Sequence, residues 1–224
     1  MTAHIAVIGG QKGGTSKSTI AQNLAVALTG RGHRVGIIDT DNTQNTSLVW
    51  SDTRAADETL AAIPCEDADA GTLGGLLTAW SERFTHVIVD TGASDSEELR
   101  AALLRADIFI TPTRPNQADL WTVERADQLY HAARGVNKRL LAWIVISQAS
   151  STHPQRAEIA AAEKFIQRFP NLKLTRAVIR DRAAYSRALG EGRGVLEYSP
   201  RNEMAIAEIN HLFAELYDEQ SAQL

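Results

Sequence analysis

Only one cysteine, Cys65, occurs among the 224 residues. That scarcity excludes an intramolecular disulfide framework and any metal cage built of cysteine alone, and it suits a reducing compartment. Long apolar runs are also missing: no stretch approaches the roughly 18–20 residues of a membrane span. The first residues, MTAHIAVIGG, place no basic segment ahead of an apolar one, so no signal peptide is expected. Linkers, repeats and low-complexity segments are absent from the pattern too. The expectation is a cytoplasmic globular chain, one domain over 1–224, with 44% apolar residues to build its core.

A large net charge is lacking as well, since the total is −4, yet the charge is split along the chain. Between Tyr130 and Arg201, 13 Lys/Arg face 5 Asp/Glu, whereas the remainder holds 10 against 22. Such blocks fit a basic face on an acidic molecule, and equally well scattered solvated helix faces.

What is present is alternation. Short runs rich in Val and Ile, at 5–9, 35–39, 86–90, 108–111 and 141–146, read as buried strands, with 176–179 as a sixth. Amphipathic stretches lie between them at 18–30, 95–105, 119–134 and 154–169, and two more follow at 182–189 and 201–217. Alternation of this kind predicts an α/β fold: a three-layer, doubly wound, mostly parallel sheet with helices on both faces. Residues 51–80 carry the weakest pattern, with only Ile63–Cys65 suggesting a short edge strand.

Between the first strand and the first helix lies KGGTSKST, residues 12–19. A glycine-rich turn running into a helix N-terminus cradles phosphate with backbone N–H groups. Lys17 is placed to reach the β- and γ-phosphates, and the Ser18 hydroxyl to bind Mg²⁺. The strict pattern GxxxxGK(S/T) is not met, because Gln11 and Ser16 occupy its two glycine positions. A ligand-free turn would not explain Gly13, Gly14, Lys17, Ser18 and Thr19 occurring together.

KGGTSKST resembles the deviant Walker A motif, KGGxGK(S/T)T, of the ParA/MinD ATPases, which are P-loop NTPases. The resemblance extends through DTDNTQNTS (39–47), HVIVDTGASDS (86–96), IFITPTRPNQADL (108–120) and the segment 178–200. It implies ATP and Mg²⁺ as ligands and a nucleotide-binding loop of Gly13, Gly14, Thr15, Ser16, Lys17, Ser18 and Thr19. Lys12 and Lys17 are implied as catalytic, with Lys12 reaching across an ATP-dependent homodimer to the nucleotide of the other subunit. Asp41 is implied to orient the attacking water, with Ser18, Asp39 and Asp90 at the metal. Asp90 also ends an apolar strand, the Walker B arrangement. The family often places an Asn after the strand at 141–146; Ser147 and Gln148 stand there, and the adenine contact stays unassigned.

The ParA branch binds DNA without sequence preference in its ATP state, and the MinD branch binds membrane through a C-terminal amphipathic helix. Here the last predicted helix, 205–224, carries four acidic residues and no Lys or Arg, which argues against an anionic membrane surface. The basic block fits DNA, with Arg180, Arg182, Arg187 and Arg193 as the leading contacts. The first strand begins at Ile5, so no built-in DNA-reading module is expected ahead of it. The resulting expectation is a slow, partner-stimulated ATPase of the small ParA type, nucleoid-associated when ATP-bound. It would segregate a plasmid or chromosome with a ParB-type adaptor; alternatively, it would position a protein organelle by the same chemistry. A dethiobiotin-synthetase-like ligase shares the fold but has no need of Lys12. An iron-protein-like electron carrier needs two ligand cysteines, and one Cys excludes it.

Overall fold

The computed structural model describes residues 3–151 and 156–218. Seven strands form one sheet: β1 (His4–Ile8), β2 (Val35–Asp39), β3 (Cys65–Asp67), β4 (His86–Asp90), β5 (Ile108–Thr113), β6 (Leu141–Ala149) and β7 (Leu172–Arg180). Their order is β3-β2-β4-β1-β5-β6-β7, and every pairing is parallel. The helices are α1 (Lys17–Thr29), α2 (Thr46–Ala55), α3 (Leu73–Arg83), α4 (Glu97–Leu103), α5 (Gln117–Val136), α6 (Arg156–Ile166), α7 (Ala183–Gly190) and α8 (Glu203–Phe213). A π-helical turn, Ala214–Asp218, extends α8.

The central strands are largely apolar because both faces are covered, whereas the edge strands β3 and β7 carry exposed charged residues such as Glu66, Lys173 and Arg176. Ala6 and Ile8 of β1 turn to a core shared with α1, α7 and α8, while Ile5 and Val7 turn to one shared with α3, α4, α5 and α6. Helix α1 is buried from Ile20 to Leu28, so little of the segment after the phosphate loop can face water.

The expected strands and alternation are present, with two shifts. The edge strand begins at Cys65 rather than Ile63, pairing Cys65–Asp67 with Ile37–Asp39. The stretch 51–80 holds the second half of α2 and most of α3, which the weak pattern did not resolve. The predicted helix start at Pro154 and the end of the last helix beyond Asp218 lie outside the described residues. Ile206, Ile209, Leu212, Phe213 and Leu216 are buried in the core, which leaves this apolar stripe covered by the fold itself. Among the described residues no helix is long and apolar enough to cross a membrane.

Candidate functional site

The order of strands reverses at β1, which lies between β4 and β5, and a parallel sheet opens a crevice at such a point beyond its C-terminal edge. Ile8 is level with Asp90, and Asp90 with Asp39, so β1, β4 and β2 deliver their ends side by side. A cleft of about 800 Å³ lies there, lined by Gly13, Gly14, Ser16, Lys17, Ser18, Thr19, Asp41, residues 91–94 and Gln148.

The loop from β1 to α1 takes a left-handed backbone twice, at Gly14 (φ 66°) and at Ser16 (φ 72°, ψ 25°). Ser16 caps α1 with no side-chain hydrogen bond to it. The glycine conformation is therefore kept at a position that has lost its glycine. Thr15 is buried, and its carbonyl accepts the Ser147 hydroxyl at 2.9 Å. Ser147 thus braces the loop from β6. Lys17 is buried inside the cleft, and its Nζ donates to the Lys12 carbonyl at 3.0 Å. Burial lowers its pKa, against the pull of the Asp90 and Asp41 carboxylates.

Three carboxylates face this loop in different states. Asp39 Oδ1 accepts the Asp41 N–H at 3.0 Å, and its Oδ2 accepts the N–H groups of Ser47 at 2.8 Å and Leu48 at 3.2 Å. It therefore ties the start of α2 to the end of β2. Asp41 Oδ1 accepts from the N–H of Thr43 and Gln44, which fixes a tight turn, and its carboxyl lies opposite Gly92. Asp90 Oδ2 accepts the Ser47 hydroxyl at 2.7 Å. Its Oδ1 is buried and closes no hydrogen bond among the described residues, although the nearby Ser18 hydroxyl favours the charged form. Burial, then the Asp39 carboxylate, push the Asp90 carboxyl up to about 7. A buried, under-partnered carboxylate oxygen beside a serine hydroxyl is the donor set that suits a hydrated Mg²⁺.

Lys12 turns away from the cleft. Its Nζ pairs with Asp119 Oδ1 in the first turn of α5. Arg114 spans the same region: its Nη2 donates to the Gly14 carbonyl, and its Nε donates to Gln148 Oε1 at 2.6 Å.

A second hollow of about 240 Å³ adjoins the cleft, sharing Ser16, Thr19 and Gln148 with it and bounded by Arg180, Asp181, Arg182 and Tyr185. Arg182 makes two bonds to Glu208 Oε1, at 2.8 and 2.7 Å, and the Tyr185 hydroxyl donates to Glu208 Oε2. Arg180 Nη1 donates to the Ser150 carbonyl at 2.7 Å. Arg193 pairs with Asp57 and approaches Glu191. Arg187 is exposed on α7. The structure therefore brings Gly13, Gly14, Ser16, Lys17, Ser18, Thr19 and Asp41 to one cleft, with Asp39 and Asp90 behind it and Lys12 outside it. Of the four arginines, Arg180 and Arg182 border the same hollow, and Arg182 and Arg193 are engaged by carboxylates of their own chain.

Three further residues brace the site, Ser47, Arg114 and Ser147, and Asp119 holds Lys12 outside it. Ser47 carries no signal in the sequence beyond opening a helix, and Ser147, noted only for its place after a strand, gives no sign that it braces the loop at Thr15. Asp119 follows Asn116 by three, and the Asn116 side chain caps α5 by accepting its N–H. That spacing marks a helix start, not a partner for Lys12.

The profile of the family described as ATPase MipZ matches residues 4–158. The chain is 32% identical over 206 residues to the "Maintenance of carboxysome distribution protein A" of Halothiobacillus neapolitanus, covering 92% of each chain. Among solved structures it resembles apo McdA from Cyanthece, with TM-score 0.72, 18% identity, and coverage of 94% and 99%. It likewise resembles the septum site-determining protein MinD complexed with Mg-ADP from Pyrococcus horikoshii OT3, with TM-score 0.71, 21% identity, and coverage of 100% and 99%.

Proposed function

The chain belongs to the ATPase MipZ family, within the ParA/MinD group, and from that premise we propose an ATP-gated homodimer that positions a protein cargo in the cell. The observation that carries this reading is the division of the two lysines. Lys17 lies inside the cleft, and Lys12 lies outside it, paired with Asp119 in the first turn of α5.

In this reading ATP fills the cleft, with its phosphates on the backbone N–H groups of 13–19 and its base in the adjoining hollow beside Gln148. Ser18 and Asp90 would hold Mg²⁺, which would supply positive charge at the phosphate oxygens. Asp39 supports that site indirectly, by fixing Ser47 against Asp90. Lys17 neutralises the charge that develops on the transferred phosphoryl group. Asp41, held in its turn beside Gly92, orients the attacking water. Lys12 completes the partner's site, so hydrolysis is slow in a lone subunit and dissolves the dimer when it occurs.

Sequence alone ranks a plasmid or chromosome as the first cargo and a protein organelle as the second. The relative named for carboxysome distribution reverses that order. Non-specific DNA remains the proposed surface on which the ATP dimer is retained, which would associate it with the nucleoid, and Arg187 is the leading contact because it is exposed. An adaptor on the cargo would stimulate hydrolysis.

Light scattering and DNA mobility shift, each with ATP, ADP and no nucleotide over a salt series, test the proposal. The native chain is expected to dimerise and to shift DNA with ATP alone, with the logarithm of the affinity falling linearly in log salt. Lys12→Ala is expected to bind ATP but to remain monomeric. An unaltered dimer in that variant removes the trans role of Lys12, and DNA binding that ignores ATP removes the retention surface.

A further inference from the structure

We propose that Asp119 parks Lys12 on its own subunit, and that Arg114 takes over the Asp119 carboxylate when Lys12 leaves for the partner's nucleotide. The inference rests on the ATP-dimer reading above and adds its threshold.

Lys12 and Asp119 are unequal partners. The lysine side chain is 40% exposed and can swing, whereas the carboxylate is 1% exposed and fixed. Asp119 is the third residue of α5, and its N–H is held by Asn116 Oδ1 at 3.0 Å, so it cannot follow the lysine outward. Departure of Lys12 would strand a buried charge, which is among the costliest defects a fold can carry. The second oxygen of Asp119, Oδ2, is buried and closes no hydrogen bond among the described residues. Arg114 Nε lies 3.8 Å from that oxygen, near enough to close on it after a small shift.

Arg114 is also bonded to residues that line the nucleotide cleft: it donates to the Gly14 carbonyl and to Gln148. A β-carbon on Gly14 would lie 3.0 Å from Arg114 Nη2, so the guanidinium packs directly on the phosphate loop. Whatever moves Gly14 or Gln148 therefore moves Arg114 relative to Asp119. Filling of the cleft and release of Lys12 are linked through this one side chain. Asp119 and Arg114 are positioning residues for Lys12; neither lines the cleft.

The test measures dimerisation of the full chain by analytical ultracentrifugation in Mg-ATP, beside binding of a fluorescent ADP analogue to the monomer. Asp119→Asn removes the parking charge and keeps its shape, and is expected to tighten the ATP dimer on the order of tenfold. Its ADP affinity should stay within about twofold, because Asp119 does not reach the nucleotide. Arg114→Gln is expected to act oppositely, weakening the ATP dimer relative to its own ADP affinity, because the freed carboxylate has no cation to receive it. Asp119→Ala is carried in parallel, so that a folding defect in one variant does not leave the test without a result. If a folded Asp119 variant binds ADP normally and dimerises no more readily than the native chain, the parking role is wrong. A native chain that stays monomeric at every ATP concentration removes the dimer reading and this inference with it.

Discussion

Ser16 is the one residue of the phosphate loop whose side chain disagrees with its backbone. A non-glycine residue in the left-handed region costs about 1–2 kcal/mol, and Ser16 gains no capping bond in exchange. Ser16 borders both the cleft and the adjoining hollow, so the strain sits where the proposed nucleotide would bind. Ser16→Gly is expected to stabilise the nucleotide-free chain by about 0.5–1 kcal/mol, after subtracting the greater freedom of glycine in the unfolded state. That corresponds to a melting temperature about 1–4 °C higher. Calorimetry that found no increase would mean that the loop relaxes around the serine. At this scale the sequence was informative about identities and silent about pairing. KGGTSKST names the loop, but Lys12 and Asp119 are 107 residues apart, and no local pattern joins them.

Among the elements, strands were the most legible, because runs such as HVIVD and LAWIVI are buried on both faces and need no partner to be recognised. The region of α2, β3 and α3 was not, for a physical reason. Helix α2 buries Trp50 and also Arg54, whose guanidinium makes two bonds of 2.8 Å to Glu197 and two more to backbone carbonyls. A buried arginine on the core side of a helix erases the apolar period, and the glutamate that satisfies it is 143 residues away. Helix α3 shows its stripe, Leu73, Leu77 and Trp80, only once Gly36 of β2 is seen to make room for it. A β-carbon at Gly36 would lie 2.4 Å from Trp80 Cζ3 and 2.7 Å from Cε3. Gly36→Ala is therefore expected to cost about 1–3 kcal/mol through overpacking. Because β2 also carries Asp39 and leads into Asp41, nucleotide affinity should fall together with stability. Urea unfolding and nucleotide titration of the same sample check this, and a variant of native stability would show that α3 moves aside without cost.

Across the whole molecule, charged chemistry is divided between the two ends of the sheet. The C-terminal edge carries the phosphate loop and its carboxylates, while the N-terminal edge gathers imidazoles: His4 of β1, His86 of β4 and His33 of the loop before β2. Ring centroids lie 5.6 Å apart for His4 and His86 and 4.4 Å for His33 and His86, and Tyr217 packs against both His4 and His86. Burial, then the neighbouring histidines His33 and His4, push His86 down to about 4. Burial also lowers His4, against the pull of Asp107. The folded chain therefore binds fewer protons here than the unfolded chain, whose imidazoles titrate near 6.5. By linkage, this contribution to stability is complete above about 6.5 and is lost progressively as the pH falls toward 4. Nothing in the nucleotide cleft is needed for the effect, so it should persist with the cleft empty. His86→Phe keeps a ring in the cluster and removes its titration, and is expected to flatten the decline in unfolding free energy between pH 6.5 and 5. Urea unfolding at both values measures that decline, and equal declines in the native chain and the variant would place the acid sensitivity elsewhere. Retention of acid sensitivity in the variant with a shallower slope is expected, because His4 titrates in the same direction beside it.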